Sequence, residues 1–229
     1  MTLVKICGVS EPRHARAAAA CGADLIGVVF APSQRQVTMG QAARIAESLG
    51  ERAAPPTAAA VDAVEERLRA GRPLLVGVFA DQDPDTVNGI AREVGLDLVQ
   101  LSGSEPWEVC AFIERPVLKC LKVRQGQTAA EVLAQVRSGA LLLLDPYVEG
   151  AYGGAGVTLD WAVAAQVAKE QAVMLAGGLR PDNVARAVAG VHPWAVDVSS
   201  GVESDGVKDV AKIRAFIKAA KSAGQADRV

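Results

Sequence analysis

The stretch Ala172-Val-Met-Leu-Ala-Gly-Gly-Leu179 and the later Ala195-Val-Asp-Val-Ser-Ser-Gly201 bracket a segment rich in Ala, Val and Arg. Each apolar run is too short for a helix and ends on small residues, whereas the segment between them has helical length. Two strands joined through a helix run parallel, because the crossover returns the chain to the same end of the sheet. Working outward, the same alternation predicts strands near 3–7, 24–30, 74–79, 97–101, 117–123, 140–144, 172–176 and 195–199, with helices filling the gaps. Eight such units in 229 residues match an α/β fold, a single closed (β/α)8 TIM barrel, with residues 1–229 as one domain. The competing open, doubly wound sheet is disfavoured: Cys7-Gly8-Val9-Ser10, not G-x-G-x-x-G, follows the first run.

Local signals refine the helices. Thr38 with Gln41, and Thr128 with Glu131, have the spacing of a capping box, and Asp83-Pro84 and Arg180-Pro181 put proline where a helix opens. Residues 50–73 (GERAAPPTAAAVDAVEERLRAGRP) interrupt the regular spacing. They read as a proline-broken loop plus an extra amphipathic helix between the second helix and the third strand. Such an insertion lies at the bottom of a barrel, and its expected role is structural packing.

Composition excludes several function classes. No run reaches the ~18 apolar residues of a membrane span, and Met1-Thr-Leu-Val-Lys-Ile-Cys7 has neither a basic leader nor a cleavage site, so a cytoplasmic protein without a membrane partner is expected. Twenty-four Lys and Arg against 26 Asp and Glu give a net charge of −2, and only nine aromatics are present (three Trp, two Tyr, four Phe). Neither feature suits a nucleic-acid partner. Cys7, Cys21, Cys110 and Cys120 lack paired spacing, so neither a metal site nor disulfides are expected.

In a barrel the reactive face is the ring of strand C-termini and the loops after them. Gly177-Gly178 after the seventh strand and Ser199-Ser200-Gly201 after the eighth are small enough to let backbone N–H groups approach a phosphate, although glycines there also serve tight turns. Cys7 ends the first strand and is either an inert small hydrophobe or a reactive thiol. Asp145 closes Leu141–Leu144 and either points into the pocket or caps the next loop. A thiol and a carboxylate on different strands of one mouth suit base and acid on opposite sides of a bound sugar. Arg35, in the loop after the second strand, is either a carboxylate clamp or a solvated surface residue.

Together these residues resemble the phosphoribosylanthranilate isomerase family. The likeness runs through Lys5-Ile-Cys-Gly8, Gly22-Ala-Asp-Leu-Ile-Gly27, Ser33-Gln-Arg35, Val76-Gly-Val-Phe79, Val99-Gln-Leu101, Gly153-Gly-Ala-Gly156 with Asp160-Trp161, Leu175-Ala-Gly-Gly-Leu179 and Asp197-Val-Ser-Ser-Gly-Val-Glu203; only 50–73 lies wholly outside it. The resemblance implies an enzyme of tryptophan biosynthesis that performs the Amadori rearrangement of N-(5-phosphoribosyl)anthranilate without metal or organic cofactor, as a monomer or homodimer. By the family's pattern Cys7 is the general base, with its pKa expected to be lowered by nearby positive charge, and Asp145 is the general acid, kept neutral by an apolar neighbourhood. Arg35 would bind the anthranilate carboxylate, and the loops at Gly177-Gly178 and Ser199-Ser200-Gly201 the sugar phosphate. Strand parity adds that Lys5 points inward one layer below Cys7 and pairs with Asp197 across the barrel's closure.

Three positions depart from the family's usual pattern: Ser102 stands for histidine, Ala155 for a hydroxyl residue, and Gln34 for proline. The alternatives are a histidine-pathway or bifunctional aminoaldose isomerase of the same fold, or a phosphate-binding barrel without turnover. The former family uses two aspartates, and Cys7 in place of the first speaks against it.

Overall fold

The computed structural model describes residues 2–50, 54–56, 58–69, 71–148 and 158–226. Eight parallel strands pair in chain order: β1 (Leu3–Ile6), β2 (Leu25–Val29), β3 (Leu74–Phe79), β4 (Leu98–Leu101), β5 (Val117–Val123), β6 (Leu141–Pro146), β7 (Val173–Leu175) and β8 (Ala195–Val198). β8 returns to pair with β1, setting Leu3 against Ala195 and Lys5 against Asp197, so the sheet is a closed barrel as the alternation predicts. Inward-facing residues such as Leu25, Leu74, Val76, Leu98, Leu118 and Leu143 fill its centre. Their outward neighbours, among them Val4, Ile6, Ile26, Val28 and Leu75, pack under the helices. Burial on both faces is why the strands read as continuous apolar runs rather than alternating ones.

The surrounding helices are α1 (Pro12–Ala20), α2 (Met39–Ser48), α3 (Val61–Leu68), α4 (Pro84–Val94), α5 (Ala129–Leu133), α6 (Trp161–Glu170), α7 (Val184–Val191) and α8 (Val210–Ala226). Both capping boxes form, at Thr38 and Thr128, and Asp83 caps α4 with Pro84 in its first turn. None of the helices is long and apolar enough to cross a membrane, among the described residues.

Two helix expectations need correction. Between β4 and β5 the chain forms a 3-10 helix, Trp107–Phe112, rather than an α-helix; it is flanked by extended backbone at Pro106 and Ile113, and Pro116 directly precedes β5. Arg180-Pro181 does not open α7, which starts at Val184. Residues 181–183 make a turn instead, in which the Asn183 side chain accepts from Arg180 N at 2.7 Å and donates to the Gly178 carbonyl at 2.9 Å. The side chain thereby satisfies backbone groups that a helix would otherwise have used.

The extra helix of the 50–73 segment is α3. It packs beneath the strands' N-terminal ends, with Val64 fully buried in the same cluster as Leu25 and Leu74. Arg67 and Arg72 place Nη2 atoms 3.6 Å and 3.8 Å from the carboxylate of Asp97, just before β4. After β8 comes a second 3-10 turn, Ser200–Val202, and then an antiparallel hairpin of β9 (Glu203–Ser204) and β10 (Val207–Lys208) that the strand count does not include. Its two-residue turn is Asp205-Gly206, both at positive φ (51° and 77°), which matches the right-handed twist of a tight hairpin.

Candidate active site

The inward face of β1 carries Lys5, and Cys7 comes directly after the strand. Lys5 is wholly buried, and its Nζ lies 3.0 Å from Asp197 Oδ1 on β8, the pairing that strand parity predicts. Burial works against the ammonium, yet attraction from Asp197 and then from Cys7 outweighs it and holds the lysine above its ordinary pKa. Cys7 follows β1, with its N–H donating to the Val198 carbonyl at 2.8 Å. Across from both, β2 presents Gly27: a Cβ there would lie 2.8 Å from Cys7 Sγ and 3.2 Å from Lys5 Cε, so glycine provides the room they occupy.

The expected lowering of the Cys7 pKa is not found. Burial pushes the thiol above its ordinary value, Lys5 opposes this, and Asp197 adds to it. A cation already neutralised by a carboxylate at 3.0 Å exerts only part of its field on the sulfur, so desolvation wins.

On the opposite wall Asp145 is 7% exposed at the end of β6. Its neighbourhood is less apolar than the sequence suggests, because Lys122, directly across on β5, places Nζ 2.6 Å from Asp145 Oδ2. Burial raises the Asp145 pKa, Lys122 tempers the rise, and Asp197 reinforces it. Cys7 and Asp145 therefore both feel the Lys5–Asp197 pair. Above Lys122 and Asp145 the Arg124 guanidinium stacks 3.9 Å from the centre of the Tyr147 ring, extending the same wall towards the rim. Ser102, at the position where histidine is usual, is buried and accepts a 2.9 Å hydrogen bond from Gln100.

Arg35 reaches from the loop after β2 to the segment after β8. Its Nε and Nη2 donate to Glu203 Oε1 and Oε2 at 2.7 Å and 2.8 Å, so it is not the solvated residue its loop position allows. Glu203 also accepts from Lys208 Nζ at 2.5 Å, and that ammonium donates to the Ser199 carbonyl at 2.9 Å. Burial opposes the Glu203 charge, but these hydrogen bonds overcome it and hold the carboxyl at about 2.

The two candidate phosphate loops lie next to this cluster. Gly177 and Gly178 have φ of 90° and 59°, and a Cβ on Gly201 would sit 1.9 Å from the Leu179 carbonyl oxygen, so the loops after β7 and β8 touch through backbone only a glycine permits. Ser199 and Ser200 occupy the turn between β8 and Gly201. Thus Lys5, Cys7, Arg35, Asp145, Asp197 and both candidate phosphate loops come from the strands and following loops around one mouth.

The sequence reading assigns no role to Lys122 or Lys208, and none to Gly27 and Glu203 although both end motifs that carry the resemblance. The Asp205-Gly206 turn signal would have revealed the hairpin that sets Lys208 opposite Glu203. Ala155 and the Gly153–Gly156 stretch lie outside the described residues, whereas Asp160 caps α6 by accepting from Ala162 N.

The family model described as N-(5'-phosphoribosyl)anthranilate (PRA) isomerase matches residues 46–219. The N-(5'-phosphoribosyl)anthranilate isomerase of Roseiflexus castenholzii is 48% identical over 225 residues, covering 97% of this chain and 100% of the relative. Among solved structures, the phosphoribosylanthranilate isomerase of Thermotoga maritima superposes with a TM-score of 0.79 at 34% identity, over 97% of this chain and 100% of that one. A further solved isomerase, in complex with reduced 1-(o-carboxyphenylamino)-1-deoxyribulose 5-phosphate, gives a TM-score of 0.76 at 33% identity, over 97% and 100% of the two chains. With the family model spanning most of its length and relatives matching end to end, the chain belongs to the N-(5'-phosphoribosyl)anthranilate isomerases, enzymes of tryptophan biosynthesis.

Proposed function

We propose that the isomerisation runs between Cys7 as general base and Asp145 as general acid, with Arg35 holding the anthranilate carboxylate. In this reading the backbone at Gly177, Gly178, Ser199, Ser200 and Gly201 holds the phosphate. The observation that carries it is the placement of Cys7 and Asp145 on different strands of one mouth, both within the field of the Lys5–Asp197 pair. Protonated Asp145 gives its proton to the ribose ring oxygen as the C1–O bond breaks, and the substrate nitrogen's lone pair forms the iminium. Cys7 thiolate then removes the C2 proton, and the electrons of that C–H bond move to neutralise the iminium as an enolamine. Tautomerisation gives the ketone. Acid and base are each typically worth about 10²–10⁴ in rate, and positioning supplies the rest.

Burial pushes both groups upward, which favours the acid form this reading needs of Asp145 and opposes the thiolate it needs of Cys7, an opposition that Lys5 tempers. Raising Asp145 and tempering Cys7 through Lys5 both favour the state that holds thiolate and carboxylic acid together.

The anthranilate fluorescence lost on turnover gives the test, with Cys7→Ser and Asp145→Asn as variants. Each is expected to lose turnover by at least about 10²-fold while binding the reduced product analogue as tightly as wild type. Turnover retained in Cys7→Ser, or binding lost in step with rate, overturns these roles. We further read the protein as a cytoplasmic enzyme, alone or as a homodimer, that acts on a small phosphorylated sugar anthranilate and not on nucleic acid. The near balance of charge supports this reading, and a solved relative from Thermotoga maritima is described as dimeric.

A further inference from the structure

A guanidinium presents its five N–H donors along two usable edges, one formed by Nε and Nη2 and one by the two terminal nitrogens. In Arg35 the first edge is filled, Nε and Nη2 reaching the two Glu203 oxygens at 2.7 Å and 2.8 Å. The end-on edge, Nη1 with the outer Nη2 hydrogen, is not used by that fork. Glu203 is itself tied down. Its side chain is 7% exposed, Lys208 grips Oε1 from behind, and the β9–β10 register sets the two residues opposite each other. Lys208 in turn donates to the Ser199 carbonyl, so this anchor belongs to the same loop as the candidate phosphate site. A Cβ on Gly8 would fall 2.5 Å from Arg35 Cδ and 2.9 Å from Ser199 Oγ, so the arginine stem lies directly over the residue after Cys7.

Two cations face one carboxylate here, leaving one positive charge for an anionic ligand. A ligand need not displace Glu203 to use it, because the occupied edge and the remaining edge are different. We propose that Glu203 is the positioning residue for carboxylate recognition, fixing Arg35 so that its end-on edge receives the substrate's aromatic carboxylate through two parallel hydrogen bonds. This rests on the reading of Arg35 as the carboxylate anchor. Without Glu203 the guanidinium keeps its charge but loses its orientation, and orientation is what a bidentate pair requires.

The test titrates two inert ligands, reduced 1-(o-carboxyphenylamino)-1-deoxyribulose 5-phosphate and the same compound without the ring carboxyl, into wild type, Glu203→Gln and Arg35→Ala. Glu203→Gln is expected to weaken the carboxylated ligand about tenfold and the other less than about twofold; in turnover KM rises more than kcat falls. Equal weakening of both ligands marks a merely structural residue and overturns the proposal. Tighter binding of the carboxylated ligand marks Glu203 as a competitor and overturns it too. Should Glu203→Gln fail to fold, Lys208→Met, which frees Glu203 from behind, is expected to show the same carboxylate-selective loss, and unchanged discrimination there overturns the inference. If Arg35→Ala loses discrimination while Glu203→Gln keeps it, only the role of Glu203 falls; if Arg35→Ala keeps it, the anchor reading itself is wrong.

Discussion

Lys5 carries a full positive charge with no exposure to water, and Asp197 at 3.0 Å is what makes that tolerable. Removing one member of such a pair typically costs about 3–5 kcal/mol, because the other charge is left uncompensated. Its catalytic effect has a definite sign: the ammonium favours the thiolate, so its removal raises the Cys7 pKa further. Because the base must be ionised to act, one limb of the pH dependence of kcat/KM reports the thiol. Lys5→Met is therefore expected to move the limb that reports the thiol upward in pH. Lys5→Met with Asp197→Asn should do so less, since Asp197 acts in the opposite direction. A pH-rate profile superimposable on wild type in both variants would refute the linkage. The pairing was legible from strand parity because positions 5 and 7 share a face. The direction of the Cys7 shift was not, since it depends on how deeply the sulfur sits and how far Asp197 neutralises Lys5.

Among the elements, the hairpin after β8 shows how a small piece of structure can carry a charged latch. Glu203 is held at about 2 against an ordinary 4.5, so it contributes stability that is complete above pH 4.5 and fades as the pH falls through about 2. The melting temperature of wild type should exceed that of Glu203→Gln by its full margin above pH 4.5, and the two should converge towards pH 2. A margin independent of pH would mean that packing rather than charge holds the latch. Asp205-Gly206 announced the turn, but nothing in sequence pairs Glu203 with an arginine 168 residues away. The helix caps at Thr38 and Thr128 were readable because each is a contact between residues three apart. Pro181 misled for the complementary reason: the side chain that decides its turn, Asn183, bonds back to Gly178 rather than forward into a helix.

At the level of the whole molecule, the barrel separates stability from chemistry. The α3 segment and Asp97 lie beneath the strands, far from Cys7 in the layering of the fold, and there Arg67, Arg72 and the Leu75 amide all face one carboxylate. Asp97→Asn is expected to destabilise the protein by roughly 1–3 kcal/mol in denaturant unfolding while leaving kcat/KM within about twofold. A loss of activity without a loss of stability would contradict that separation. The ring of eight strands was legible because burial on both faces makes each one an uninterrupted apolar run; the fourth crossover was not, since two prolines override the helical expectation there. The closure of β8 onto β1 has a consequence during synthesis. Lys5 leaves the ribosome 192 residues ahead of its counter-ion, so through nearly all of translation that ammonium must remain hydrated. A nascent chain cannot seal its first strand into an interior before the last arrives, and the lysine thereby penalises any incomplete ring of seven.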